Sequence, residues 1–216
     1  MLTTRPAAPG AYTGLVYVST ERLILRRFRE TDVDALHSIL GDPACGAYFD
    51  GEPITFAQTV DFVEAAISRE PFEEIAVSVR GSGQLIGVVR AGPFIHGDDE
   101  LGGKELRWAI HRDYWGQGVA TEAVRTLVEE VFIDPSVTHV VAFCERDHLR
   151  TRKVAEKLGM VEEHVLVTPA VPVAAEVFGT TSLELKEAEP LGREISPTLV
   201  KYGYTRPGVR RTFQPL

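Results

Sequence analysis

Leu106-Arg107-Trp108-Ala109-Ile110-His111-Arg112-Asp113-Tyr114-Trp115-Gly116-Gln117-Gly118-Val119-Ala120-Thr121-Glu122-Ala123 opens the stretch, running on to Phe132, whose reading decides the fold. Its first part reads as a strand and its last part as a long amphipathic helix. From Ala120 the apolar residues Ala120, Ala123, Val124, Leu127, Val128 and Val131 recur at i, i+3, i+4, i+7, i+8 and i+11, one face of an α-helix. Between strand and helix lies the turn Asp113–Gly118. Gly116 and Gly118 permit positive φ there and close approach of a ligand to the backbone. The first N–H groups of the helix have no intrahelical partner and stand at the positive end of its dipole. Strand, glycine turn and helix start together imply a phosphate cradle.

Three kinds of protein own such a cradle. A P-loop requires a Lys after its second glycine, and none follows here. A dinucleotide fold requires a third glycine where Thr121 stands. The third fits the flanks as well. Tyr114-Trp115-Gly116-Gln117-Gly118-Val119-Ala120-Thr121-Glu122-Ala123 resembles the acyl-CoA-binding motif of the GNAT superfamily of N-acetyltransferases. Thr20-Glu21-Arg22-Leu23-Ile24-Leu25-Arg26 resembles the opening of one branch of it, the ribosomal-protein N-terminal acetyltransferases and related antibiotic-modifying enzymes. The resemblance covers about residues 20–186.

Composition sets wide bounds. At 216 residues the chain has room for one well-buried domain with extensions. A formal charge of −8 argues against a general affinity for nucleic acid, whose phosphates attract basic surfaces. Cys45 and Cys144 are too few for a disulfide framework and fit a reducing compartment. No apolar run approaches the ~20 residues that span a bilayer, and the start lacks the apolar core of a signal peptide. The expectation is a cytoplasmic protein that binds neither membrane nor nucleic acid.

In chain order, residues 1–19 read as an irregular extension with a short apolar patch at Leu15–Val18 that adds a strand. Leu23, Leu25 and Phe28 mark the first core strand. Thr31 and Asp34 form an approximate capping box for a helix carrying Val33, Leu36 and Leu40. Thr55-Phe56-Ala57-Gln58 caps a second helix, with Phe56, Val60, Val63 and Ile67 inward. Glu74–Arg80 and Gln84–Ala91 flank Gly81-Ser82-Gly83 as a hairpin. The strand at Lys104–Ile110 and the long helix follow. Thr138–Cys144 is a buried strand, the next helix stops at Gly159, and residues 161–168 and 177–185 are closing strands. This order implies an α/β (α+β) fold, a mixed, largely antiparallel twisted sheet flanked by helices, which is also the GNAT arrangement. Residues 20–186 form the expected domain. Residues 187–216 form a basic tail, with Arg193, Lys201, Arg206, Arg210 and Arg211, that is either solvated or packed on the cleft or on a second subunit of a homodimer.

The resemblance carries site residues. It places the pyrophosphate of acetyl-CoA on the backbone around Gly116, Gln117, Gly118, Val119, Ala120 and Thr121, with the Thr121 hydroxyl as a further donor. Trp108, Ala109 and Ile110 would line the pantetheine arm, on a strand splayed from its neighbour. The family's second motif, Asn-x-x-Ser before a helix ending Glu-Lys-Leu-Gly-Phe/Met, keeps its ending as Glu156-Lys157-Leu158-Gly159-Met160 but has His148 for the Asn and Thr151 for the Ser. Thr151 keeps a hydroxyl able to protonate a leaving thiolate, and His148 a hydrogen-bonding ring for the cofactor side; capping and solvent exposure are their plainer readings. Arg150 and Arg152 either meet phosphates or form a solvated face. Glu105 and Arg107 share one face of their strand and Leu106 and Trp108 the other. Glu105 is then a candidate base for the amine, or else a surface carboxylate.

No metal spacing is present, so acetyl-CoA is the one co-substrate expected. The acceptor would be a primary amine, either a protein N-terminus or a small-molecule amine, attacked directly in a ternary complex. Acidic Asp50–Glu52, Asp61 and Glu64 would suit a cationic acceptor. A non-catalytic acyl-CoA-binding module is the alternative, supported by the changes at His148 and Thr151.

Overall fold

The computed structural model describes residues 17–45, 53–69, 73–93, 102–145, 148–164 and 199–208. The expected strand at 177–185, the far half of that at 161–168 and the acidic segment Asp50–Glu52 lie outside these residues.

One sheet carries eight strands: β1 (Tyr17–Ser19), β2 (Leu23–Arg26), β3 (Glu74–Val79), β4 (Leu85–Gly92), β5 (Gly103–Ile110), β6 (His139–Glu145), β7 (Val161–His164) and β8 (Leu199–Thr205). Their order is β1-β2-β3-β4-β5-β6-β8-β7, antiparallel throughout except for the parallel pair β5–β6. That exception is topological: a helix joins β5 to β6, as a parallel crossover requires. The helix is α3 (Val119–Val131); α1 (Val33–Leu40), α2 (Phe56–Ser68) and α4 (Leu149–Lys157) complete the set. The expected mixed, largely antiparallel sheet flanked by helices is what forms.

Alternation along the strands divides the core in two. Leu23, Leu25, Ile75, Val77, Val89, Leu106, Ile110, Val140 and Ala142 pack with Ala123, Val124 and Leu127 of α3 and Ala155 of α4. Ala76, Val88 and Ala109 point to the other face, onto Leu36, Ile39 and Leu40 of α1 and Phe62, Val63 and Ala66 of α2. α4 ends as the sequence implies. Gly159 takes φ +79°, its N–H reaches the Glu156 carbonyl, and Met160 N–H reaches that of Ala155, both at 3.0 Å, a Schellman closure.

Several expectations need correction. The Thr31–Asp34 box does not cap α1. A 3₁₀ turn at Glu30–Asp32 precedes it, and the Asp32 carboxylate accepts from Arg29 N–H at 2.8 Å instead. The Thr55–Gln58 box does form on α2, but its inward face is Thr59, Phe62, Val63 and Ala66. Phe56, in the first turn ahead of that buried stripe, stays 48% exposed and packs edge-on to His37. The strand expected in the N-terminal extension forms at Tyr17–Ser19, whereas the basic segment, expected as a tail, supplies Leu199–Thr205 as β8, inserted between β6 and β7.

Candidate active site

The site follows from how β5 leaves β6. Along β4 the pairing of β5 is continuous from Gly92↔Glu105 to Gly87↔Ile110. With β6 it is confined to Gly103↔His139, Lys104↔Val140 and Glu105↔Val141. Beyond Glu105 the two strands diverge, while β6 stays paired with β8 along its whole length. His111 N–H donates to the Ile86 carbonyl at 2.8 Å, so by antiparallel alternation the backbone groups of Ile110, Trp108 and Leu106 point away from β4, into the fork. Ile110 spends its carbonyl on the Trp115 indole N–H at 2.7 Å, with the Cys45 thiol at 3.7 Å. Among the described residues, Trp108 has no ladder partner on the fork side. Ala109, also expected on the pantetheine arm, directs its backbone groups at β4 and its methyl into the α1–α2 core.

At the wide end of the fork the chain makes a 3₁₀ turn at Arg112–Tyr114 and enters α3 through two left-handed glycines, Gly116 (φ +74°) and Gly118 (φ +77°). A Cβ on Gly116 would meet nothing within 4 Å, and one on Gly118 only the Arg22 Nη2 at 3.6 Å. Backbone conformation, not crowding, therefore demands glycine here. The space in front of the turn is open. Gln117 braces the turn, its side-chain amide donating to the Asp113 carbonyl at 2.7 Å. The first helical bond of α3 runs from Glu122 N–H to the Gly118 carbonyl at 3.0 Å, which leaves Val119, Ala120 and Thr121 N–H ahead of it. The Thr55 hydroxyl caps α2, but no side chain caps α3. An uncapped helix start on a glycine turn fits an anion.

The second wall is the start of α4. Arg150 stacks its guanidinium over the Trp115 ring at 4.0 Å, which ties that start to the turn. His148 Nδ1 and Thr151 Oγ1 lie 2.7 Å apart, so the two residues that depart from the family motif are hydrogen-bonded partners. Arg152 turns the other way, donating to the Tyr202 hydroxyl at 2.8 Å and pairing with Glu162 at 3.4 Å. The stacked Trp115–Arg150 pair is not legible in the sequence, since nothing links positions 35 residues apart until the sheet is folded.

Glu105 stands at the vertex of the fork, in the last pair that β5 makes with β6. Its side chain is 1% exposed, on the opposite face from Trp108, so it is a buried carboxylate in a central strand and not a surface one. Burial, and secondarily the Asp42 charge, push the Cys45 thiol up to about 11, against the pull of Arg112 and Arg150. At neutral pH it is a protonated thiol and a poor nucleophile. Cys144 is buried in β6. Among the described residues no group of His, Cys, Asp and Glu is placed to hold a metal ion, and no helix is long and apolar enough to cross a membrane.

Residues 22–161 match the family model of the acetyltransferase (GNAT) domain. The chain is 28% identical over 151 residues to the uncharacterized N-acetyltransferase p20 of Bacillus licheniformis, covering 68% of this chain and 83% of that one. Its fold is similar to the crystal structure of a GNAT-family acetyltransferase from Bacillus anthracis, with a TM-score of 0.63 at 21% identity over 87% of this chain and 96% of that one. It is similar too to aminoglycoside acetyltransferase AAC(6')-Ib in complex with coenzyme A, with a TM-score of 0.57 at 20% identity over 85% and 95%. With the family model spanning more than half its length, the chain belongs to the GNAT acetyltransferase family and is an acetyl-CoA-dependent N-acetyltransferase.

Proposed function

We propose that the acceptor is a primary amine, a protein N-terminus or a small cationic amine, and that the acetyl group moves to it in one direct step. The amine nitrogen attacks the thioester carbonyl carbon, the C–N bond forms as the C–S bond breaks, and no acetyl-enzyme intervenes. The observation that carries this reading is the pairing of an open, uncapped α3 start with the β5–β6 fork. The first supplies N–H groups for the pyrophosphate. The second leaves Trp108 backbone groups to hold the pantetheine arm in extended form.

In this reading Gly116, Gln117, Gly118, Val119, Ala120 and Thr121 bind the pyrophosphate, and Trp108 and Ile110 flank the arm. Glu105, buried where the strands part, takes the proton that the amine loses, directly or through water. The Thr151 hydroxyl returns a proton to the departing thiolate, and His148, 2.7 Å from it, supplies the next proton or fixes the hydroxyl's direction. The Asn-x-x-Ser pair of the family motif is thus replaced by a pair able to do the same work, which removes the main support for a non-catalytic module. Exposed Asp61 and Glu64 on α2 favour a cationic acceptor over an anionic one.

The test is a screen of amine acceptors at saturating acetyl-CoA, read by thiol release, alongside Gly118→Val. That substitution forces a β-branched residue into a left-handed conformation in front of the turn. It is expected to lower acetyl-CoA affinity at least about 100-fold, since it both distorts and fills an anion site built from backbone. Retained affinity would place the cofactor elsewhere.

A further inference from the structure

The residues just ahead of β2 lie against the glycine turn. Arg22 Nη1 donates to the Gln117 carbonyl at 2.9 Å, and Nε donates to Glu122 Oε2 at 2.7 Å, with Nη2 paired to the same carboxylate. Thr20 donates its hydroxyl to the other Glu122 oxygen, Oε1, and accepts from Leu23 N–H at 2.9 Å. Arg22 Nη2 is also the atom nearest to the position a Cβ on Gly118 would occupy. One guanidinium therefore ties a strand start, a turn carbonyl and the first turn of α3 together across about a hundred residues of sequence. Neither the turn motif nor the family comparison assigns Arg22 a part.

We propose that Arg22 is a positioning residue for the diphosphate of acetyl-CoA, held in turn by Glu122 and Thr20. A turn with two left-handed glycines is soft, because glycine resists rotation less than any other residue. The N–H groups of such a turn bind an anion well only if their directions are fixed beforehand. Gln117 sits between the two glycines and is clamped at both ends, its amide side chain on Asp113 and its carbonyl on Arg22. The second clamp also keeps a carbonyl dipole engaged by a cation, so that it does not rotate toward the phosphates it would repel. The task needs Arg and not merely a positive charge. A planar fork serves a carboxylate and a carbonyl at the same time, and an ammonium on a flexible stem does not. Partial exposure of Arg22 leaves it at the rim of the cradle, where it meets solvent and not the core.

The inference rests on the glycine turn being the diphosphate site, so the experiment separates the two. KM is measured for acetyl-CoA and for acetyl-pantetheine, which keeps the thioester arm and lacks the nucleotide diphosphate. The proteins are wild type, Arg22→Gln, Arg22→Lys and Gly118→Val, with the thermal midpoint of each. In Arg22→Gln the ratio of the acetyl-CoA KM to the acetyl-pantetheine KM is expected to rise about tenfold, as for loss of a charge-assisted hydrogen bond. Arg22→Lys should recover only part of it. A merely structural role would lower the thermal midpoint and leave that ratio where it was. An unchanged ratio in Arg22→Gln, or full recovery by Arg22→Lys, overturns the positioning role while leaving the turn in place. If Gly118→Val keeps the wild-type ratio, the turn is not the diphosphate site and the role of Arg22 falls with it.

Discussion

Thr151 and His148 stand where this chain departs from the motif it resembles, and in the proposed mechanism they move the proton. A threonine hydroxyl bonded to an imidazole can pass a proton, and an asparagine-supported serine does so with one fewer titrating group. If Thr151 protonates the leaving thiolate, Thr151→Val keeps the shape and removes the proton. The expected result is a fall in kcat of about 100-fold with a much smaller change in KM for acetyl-CoA, the size usual for a lost general acid. Thr151→Ser should keep most of the activity. Steady-state thiol release decides it, and a kcat for Thr151→Val within twofold of wild type would assign the step to another group. The family motif places these two residues three apart at the start of a helix, but spacing does not put them in contact. The fold does, at 2.7 Å.

Glu122 makes a second case at the same scale. Its partial burial pushes the carboxyl up, but the hydrogen bonds from Thr20 and Arg22 and the Arg22 charge outweigh that, and the net displacement is below the ordinary value. A carboxylate held low in the folded chain contributes stability that is fully present above its unfolded pKa of about 4.3 and is lost as pH falls through the folded value. Urea midpoints of the wild type should therefore decline in that acidic window more steeply than those of Glu122→Gln. Parallel declines would mean that the carboxylate is not held by Arg22 in solution.

Between elements, the joint between β2 and α1 depends on one buried ion pair. Arg26 Nη1 and Nη2 donate to Asp32 Oδ2 and Oδ1 at 2.7 and 2.8 Å, and Arg29 N–H shares the Oδ2 oxygen. Both side chains are nearly sealed from solvent. Breaking one side strands a buried charge, so Asp32→Ala should cost about 3 kcal/mol or more in chemical denaturation. A loss below about 1 kcal/mol would mean that water reaches Arg26, as it does at exposed pairs. The periodicity that located α1 said nothing of this pair. Helical spacing reports which face is apolar, whereas the polar joint is made by residues ahead of the helix whose partners lie in another element. The same limit holds for α2, where the spacing places Phe56 inward but its ring packs on His37 and stays exposed. Local turn chemistry is legible at the Thr55–Gln58 box, the Gly81–Gly83 hairpin and the Gly159 stop, which all form, but not at the Thr31–Asp34 box, which does not.

At the scale of the molecule, sequence spacing shows that β5, a glycine turn and α3 follow one another; the splay of β5 is implied only by the family resemblance, and its onset after three paired residues is seen only in the fold. Register belongs to pairs of strands, and no single strand's pattern encodes where a pairing ends. The same blindness hid β8. Five Lys and Arg residues after Pro190 argue for a solvated tail, yet Val200 and Tyr202 alternate with Lys201 and Gly203 at the period of a strand, and all four are buried. The charges are accommodated locally. Lys201 Nζ lies 3.5 Å from Glu163 on β7, and Arg206 donates to the Phe132 carbonyl at 2.7 Å, closing the end of α3. Because β8 is the only link between β6 and β7 among the described residues, it completes the sheet that holds the second wall of the fork. Cutting the chain back before Leu199 should therefore abolish a cooperative thermal transition, where removal of a tail would leave it intact. Tyr202→Ala in the full chain is the finer test. Tyr202 is 2% exposed, and its loss should lower stability by roughly 3–5 kcal/mol, as for other large aromatic side chains in cores. It should also weaken acetyl transfer beyond what stability explains, because its hydroxyl holds Arg152, next to Thr151 on α4. A truncated chain that still melts cooperatively and still releases thiol from acetyl-CoA would show that the fork is held by β5, β6 and α4 alone.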